Sequence, residues 1–408
     1  MAKKKKITGL DSIKQKTGGQ SLNDTGVVPW YHDLGNFAAN YICSGKFMGG
    51  GLPGGKIVEV YGAEATAKSL LGYCFLGGIQ RSGGIAALMD MERAGNATFA
   101  ENAGHVDSGN LLTYEPENWY QLENTVFDLI TAIRAEKDYK ETPIGIMLDS
   151  IGVVQSLREW KLAQLPIDAT EKQKKDIGTA ERPGERAKAA GDFLRRVNPF
   201  LDKNKATLYI INQLRSNIST MKYAPKSVSS GGGKALPYYA STRVLMRAQT
   251  VINDKDTEVP LGGRLAMDNR KSRSFTPGLK TEGIKLYYDG GIDPLSGLLT
   301  VMLGSGRVFT GKGNGNFVVD AKYAPDGKEL KFKGSKSKER NEMSPEIILQ
   351  CPGLVDGETT EQVENYLNLW QGAMAKSSGN IIEKELDPET KKLQDVLGSD
   401  YFKKEEEE

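Results

Sequence analysis

Lys68 and Ser69 close the segment GAEATAKS (residues 62–69), directly after the apolar run Ile57, Val58, Val60 and directly before Leu70, Leu71, Tyr73 and Phe75. An ammonium and a hydroxyl at a strand–turn–helix junction are chemistry for an anion. The N–H groups of such a turn and the positive end of the helix dipole hold phosphate; the lysine reaches the β- and γ-phosphates and the hydroxyl ligates Mg2+. The spacing is that of G-x-x-x-x-G-K-[ST] with one departure, Ala67 in place of the second glycine. A surface turn without a ligand is the bland alternative, which the strand and helix context disfavours.

A phosphate loop signifies a nucleoside triphosphate but not its hydrolysis, which needs a further carboxylate and a group that positions water. Asp149 ends the apolar run Ile144–Leu148 and precedes Ser150, a strand-end carboxylate placed to hold Mg2+ through water. A second strand end carries Asp90-Met-Glu92, where Glu92 can polarise the attacking water; a solvated loop glutamate is its ordinary alternative. A third ends Asn212-Gln213-Leu-Arg215, and an amide there can sense a γ-phosphate and pass that to the following loop. All these groups fall at carboxyl ends of strands, where open α/β sheets bind ligands.

The elements that must position them alternate. Strands are expected at 57–60, 85–90, 144–149 and 207–212, and helices at 117–133 and 186–200, which predicts a mainly parallel sheet with helices on both faces. Runs 242–246, 263–267 and 283–288 follow without helices and predict antiparallel edge strands. Residues 165–185 and 215–234 are polar and too long for ordinary connections of about 4–6 residues, so they read as binding segments or decoration. The expected organisation is a flexible basic arm over 1–29, an α/β core over 30–310, and a small accessory region over 311–408 with a helix near 361–370 and an acidic tail.

The 408 residues are 38% hydrophobic and 26% charged, without an apolar run near the roughly 20 residues that span a bilayer. No secretory signal is evident at residues 1–7, and Cys43, Cys74 and Cys351 have no metal-ligand spacing, as expected of a reducing cytoplasm. Only His32 and His105 occur, without motifs, so metal-hydrolase and Ser-His-Asp chemistry have little support. The net charge is only +2, but lysines crowd residues 3–6, 172–175 and 328–340. Basic runs flanking a nucleotide-binding core make a polyanion partner plausible, although such runs are most often solvated surface.

Taken in order, GAEATAKS, MDMER, IMLDS, YIINQLRS, a Gly-rich loop and GGGKALPYYASTRVLMR resemble the RecA recombinase core from about Leu34 to Phe309. The stretch Tyr288–Leu299, with Asp268–Arg273, is similar to the UvsX-type branch found in tailed phages. The resemblance implies a P-loop ATPase fold and a triphosphate wrapped by Gly62, Ala63, Glu64, Ala65, Thr66, Ala67, Lys68, Ser69 and Leu70. It gives Lys68 and Ser69 the phosphate and Mg2+ roles, Asp149 the metal-holding carboxylate and Glu92 the catalytic base. Phe99 falls where an aromatic stacks on adenine, and Gln213 matches the amide linking γ-phosphate to the second DNA loop. UvsX-type sequences often have His at that amide, and they too lack the glycine at Ala67.

Residues 165–185 and 215–234 correspond to loops that grip single-stranded DNA. They would use Lys172, Lys174, Lys175, Arg215, Lys222, Lys226, Gly231, Gly232 and Lys234 for the backbone, with Tyr223 stacking on bases or packed locally. Arg270, Lys271 and Arg273 match the region reaching a neighbouring subunit's ATP, which implies a homo-oligomeric helical filament. Expected partners are single- and double-stranded DNA, with single-strand-binding and mediator proteins, and no membrane. The expected activity is DNA-dependent ATP hydrolysis with homologous pairing and strand exchange. A RecA-fold ring helicase, or a RecA-fold adaptor that does not hydrolyse ATP, is the alternative.

Overall fold

In the computed structural model, residues 9–20, 27–166, 169–177, 184–216, 228–230, 235–254, 257–337 and 341–378 are described. The principal sheet is built from β1 (Ile57–Gly62), β2 (Ile85–Asp90), β3 (Leu112–Tyr114), β4 (Ile144–Asp149), β5 (Ala206–Ser216), β6 (Val228–Ser230), β7 (Thr242–Asn253), β8 (Pro260–Ser272), β9 (Lys280–Tyr287) and β10 (Gly291–Ile292). Its order is β10-β9-β8-β7-β1-β5-β4-β2-β3, with β6 antiparallel on β5. From β7 through β3 the neighbours run parallel; β8, β9 and β10 close one side antiparallel.

Successive strand residues point to opposite faces, and both faces are covered, so these strands are continuously apolar rather than alternating. On one face Val58, Val60, Met147 and Tyr209 pack with Leu71, Phe75 and Ile79 of α2 (Lys68–Arg81) and with α1 (Phe37–Ser44). On the other, Ile57, Ile146, Leu148 and Ile210 meet Leu122, Val126 and Ile130 of α4 (Trp119–Ala135) and Phe193, Leu194 and Val197 of α5 (Glu185–Asn204). Asn118 starts α4 by accepting from Tyr120 and Gln121 N–H, which would otherwise lack partners in the first turn.

Several elements were not foreseen from the sequence. The arm expected to be flexible carries a helix, Gly9–Thr17. A helix unexpected from the sequence, α3 (Ala97–Gly104), starts at Asn96, whose side chain accepts from Phe99 N–H. The stretch 165–185 holds the helix Glu171–Ile177 and follows another, Leu157–Ala163. A three-stranded antiparallel sheet, β11 (Val308–Thr310), β12 (Asn316–Val319) and β13 (Leu330–Lys333), straddles the boundary expected at 310.

That later part is continuous with the core. Trp370 is fully buried; its ring meets His105 edge-on with centroids 4.5 Å apart, and Arg81 lies 5.2 Å over it. Tyr366 stacks on Phe37 at 4.7 Å and donates to Asp33 Oδ1 at 2.9 Å. Gly35 has φ +78°, and a Cβ there would stand 2.2 Å from Trp370 Cζ2. Gly35→Ala should therefore lower the free energy of unfolding by about 2–4 kcal/mol, from left-handed strain plus overpacking. Chemical denaturation measures this, and an unchanged midpoint would show that Trp370 does not hold residues 345–370 on the core.

Candidate nucleotide and catalytic site

The loop from Gly62 to Ser69 is shaped by two close fits. A Cβ on Gly62 would meet Met246 O at 2.4 Å and Thr66 Oγ1 at 2.7 Å, so only glycine lets the turn leave β1 against β7. At the other end, Ala67 caps α2 with φ +58° and ψ +30°, and Ala65 also has a positive φ, +55°. The chain thus keeps the left-handed turn where the usual pattern has glycine, with alanine bearing the strain. No side chain caps this helix start, so its first N–H groups remain for an anion.

Lys68 is 8% exposed, and its Nζ donates to Ala63 O at 2.6 Å and Thr66 Oγ1 at 3.3 Å. Burial pushes its ammonium below the ordinary value, while Asp149, Glu64 and Glu92 pull it back up. Tyr209, from the middle of β5, donates its hydroxyl to Lys68 O at 3.0 Å and anchors the helix start to the sheet. Nothing in the apolar run around Tyr209 announced that role.

The carboxylates meet because β4 lies between β5 and β2. Gly62 pairs with Gln213, and Asp90 pairs with Asp149, so the ends of β1, β5, β4 and β2 line one edge of the sheet. Ser69 Oγ donates to Asp149 Oδ2 at 2.7 Å. Burial raises the Asp149 carboxyl to about 6; Ser69 opposes this, Glu92 and Asp90 add to it, and Lys68 opposes it. Asp90 accepts from Ala94 N at 3.2 Å and Gly95 N at 2.8 Å, holding the turn on which Glu92 stands exposed. Ser150 Oγ donates to Glu92 Oε1 at 2.5 Å. Ser150 follows Asp149 in sequence, but its link to Glu92 depends on adjacent strands and is invisible without them.

These groups fit a magnesium nucleotide. Mg2+ prefers hard oxygen donors and keeps several waters, so a hydroxyl and one carboxylate suffice beside phosphate oxygens. Ser69 Oγ and the Asp149 carboxylate could supply those donors. Among the described residues no group of three or more His, Cys, Asp or Glu side chains is placed to hold a metal ion. A cavity of about 530 Å³ opens beside the loop, lined among others by Ala65, Ala67, Leu70, Gln249, Arg264 and Tyr288. Phe99 lies outside that lining and sits edge-on to Tyr73 at 6.0 Å.

Arg270, Lys271 and Arg273 lie elsewhere. Arg270 pairs with Asp268 at 2.7 Å; Lys271 donates to Pro237 O at 2.7 Å and Tyr238 O at 3.0 Å, and Arg273 to Tyr238 O at 3.0 Å. Lys271 is in register with Arg243, which pairs with Glu59, three residues before Gly62 and roughly 10 Å back along the strand. Register thus sets Lys271 level with Glu59 and Ser272 level with Val58, back along the strands from Gly62, whereas Arg270 bonds Asp268, which stands level with Tyr61. Beside them Glu59, fully buried, accepts from Arg243 and from Asn212 Nδ2 at 2.8 Å.

Lys172 is exposed and Lys174 half-buried on the helix Glu171–Ile177; for Lys175 and Arg215 only the backbone is described. Lys222, Tyr223, Lys226, Gly231, Gly232 and Lys234 lie outside the described residues. No helix among the described residues is long and apolar enough to cross a membrane.

Two outcomes follow from this geometry. Ala67→Gly should stabilise the protein by about 0.5–1 kcal/mol, because relief of left-handed strain exceeds the added unfolded-state entropy; thermal denaturation reads it, and a loss of stability would contradict a glycine-like turn. Asp149 holds a proton in the folded state between about pH 4 and 6 that the unfolded chain has released, so its contribution falls as pH rises through that window. Without metal, Asp149→Asn should be more stable than wild type above about pH 6 by on the order of 2–3 kcal/mol, the difference vanishing near pH 4. Denaturation of both variants across pH measures it, and a gap independent of pH would refute the burial of charge.

The family model for the RecA N-terminal domain matches residues 8–135 and 164–293, more than half of the chain. A protein RecA from Bacteroides thetaiotaomicron is 30% identical over 290 residues, 71% of this chain and 77% of the relative. One from Chlorobaculum tepidum is 30% identical over 261 residues, 64% and 67% of the two chains. One from Mycoplasma mycoides subsp. mycoides SC is 28% identical over 255 residues, 62% and 66%. The chain thus spans about two thirds of the length of the relatives it matches. It belongs to the RecA family through its N-terminal-domain core.

Proposed function

We propose that this protein is a DNA-dependent ATPase that assembles as a helical filament on single-stranded DNA and catalyses homologous pairing and strand exchange. The observation that carries the reading is the edge on which Lys68, Ser69, Asp149, Glu92 and Gln213 converge, with Lys271 and Arg273 set back along the strands from it. A second copy can bring those cations to the triphosphate of the first, so that ATP joins protomers. Residues 165–185 and 215–234 grip DNA by its backbone, which makes binding sequence-tolerant and salt-sensitive. The UvsX-type assignment is part of the proposal and rests on Tyr288–Leu299.

The chain's own residues divide the work. Lys68 and the uncapped start of α2 bind and orient phosphate. Mg2+ bound with the nucleotide supplies charge neutralisation on the phosphates, held by Ser69 and Asp149. Glu92, held by Ser150, takes the proton of the attacking water. Gln213, on β5 level with Gly62 and short of that strand's end at Ser216, stands between the phosphate loop and the segment following the strand and transmits nucleotide state.

Glu92→Gln should leave ATP and oligo-dT binding intact and lower hydrolysis by about 10²–10⁴-fold, the usual worth of a general base. Lys68→Ala should abolish both hydrolysis and filaments. Phosphate release with and without oligo-dT, together with electron microscopy in a non-hydrolysable ATP analogue, measures these. Unchanged hydrolysis in Glu92→Gln removes the assigned base, closed hexamers favour a ring motor, and no hydrolysis in wild type favours an adaptor.

A further inference from the structure

The residue after Glu92 is unusual. Arg93 has φ +55°, a left-handed conformation that costs a non-glycine residue energy and persists only where the surroundings hold it. Two carboxylates on the next segment face its guanidinium: Glu115 Oε2 lies 3.4 Å from Nε, and Glu117 Oε1 lies 3.6 Å from Nη2. The other oxygen of Glu117, Oε2, accepts from Trp160 Nε1 at 2.7 Å. One carboxylate therefore touches both the turn that carries the water-activating group and the helix Leu157–Ala163.

That helix is the root of the segment 165–185. Ser156 and Glu159 start it with a reciprocal cap. Trp119 N donates to Gln155 O at 3.1 Å, which fixes the chain just before the helix against the start of α4. On its far side, Glu159 accepts from Arg186 Nε at 2.6 Å, and Arg158 lies 3.3 Å from Glu185, both at the start of α5. The two ends of the intervening segment are thus bracketed together, and the bracket leans on Glu117. The ion pairs of Arg93 are well exposed and weak individually, so this linkage can shift without unfolding anything.

We infer that Glu117 is a positioning residue that couples the first DNA loop to Glu92, through Trp160 on one side and Arg93 on the other. It rests on the function proposed above. Strand engagement by residues 165–185 displaces the helix Leu157–Ala163, the Trp160 indole carries Glu117 with it, and Arg93 re-aims the turn on which Glu92 stands. The linkage makes hydrolysis responsive to DNA without contacting the nucleotide.

The test measures steady-state ATP hydrolysis with and without oligo-dT for wild type, Glu117→Gln, Trp160→Phe and the double variant. Oligo-dT affinity is measured in parallel by fluorescence anisotropy. Trp160→Phe removes only the indole N–H donor and leaves every charge in place, which separates the linkage from a change of field at Glu92. Each single variant should lose about fivefold or more of the DNA stimulation of kcat, and the double variant no more than the worse single, because both delete the same contact. Basal kcat, KM for ATP and oligo-dT affinity should stay within about twofold of wild type, a split that general destabilisation would not produce. Stimulation retained in Trp160→Phe, or multiplicative losses in the double variant, overturns the coupling. A wild-type protein without DNA-stimulated hydrolysis overturns the functional reading itself and is recognised before any variant is compared.

Discussion

The hydrogen bond from Ser69 to Asp149 joins the first turn of one helix to the tip of a strand two positions away in the sheet, and the candidate site is organised about it. It can form only if β5 inserts between β1 and β4 and if α2 begins at the height of the strand ends. Both conditions trace to the turn after Gly62, which passes so close to β7 that no side chain fits. Asp149 there is half-buried, and desolvation with the nearby Glu92 and Asp90 outweighs the Ser69 bond and Lys68 in raising its carboxyl. A carboxylate cluster of this kind, short of compensating positive charge, is where perturbed acid groups gather in functional sites.

Ala67 shows how a motif can lose its signature residue and keep its shape. A glycine is usual there because the backbone is left-handed, and here alanine takes the same conformation under strain. The strain is local and modest, and the surrounding fit is not. Tyr209 holds the helix start from below, and Lys68 folds back over the loop onto Ala63 and Thr66. A missing glycine is thus weak grounds for an inactive loop when the dihedral angles are retained.

The middle of the sheet follows a different logic. Glu59 is a fully buried carboxylate in the middle of β1, compensated by Arg243 and Asn212. Such a pair contributes little net stability but is costly to break, so it specifies how β1, β5 and β7 align. Lys271 and Arg273 lean on main-chain carbonyls beside it.

What could be read directly was what local chemistry dictates. Strands 85–90 and 144–149 have the bounds their apolar runs announce, and α4 and α5 follow a hydrophobic period that burial on one face requires. The loop and its carboxylates were legible because phosphate and metal chemistry restrict residue types at strand ends. The helix α3 was not, since Ala97-Thr-Phe-Ala-Glu-Asn-Ala-Gly104 is only 8 residues long, too short to establish a period. Nor was the attachment of residues 345–370, which depends on Trp370 filling the space over Gly35, more than 300 residues earlier in the chain. Sequence determined which groups the protein has and at which strand ends they stand. Only the strand order, set by packing between distant segments, decided that Ser150 meets Glu92 and that Glu117 meets both Arg93 and Trp160.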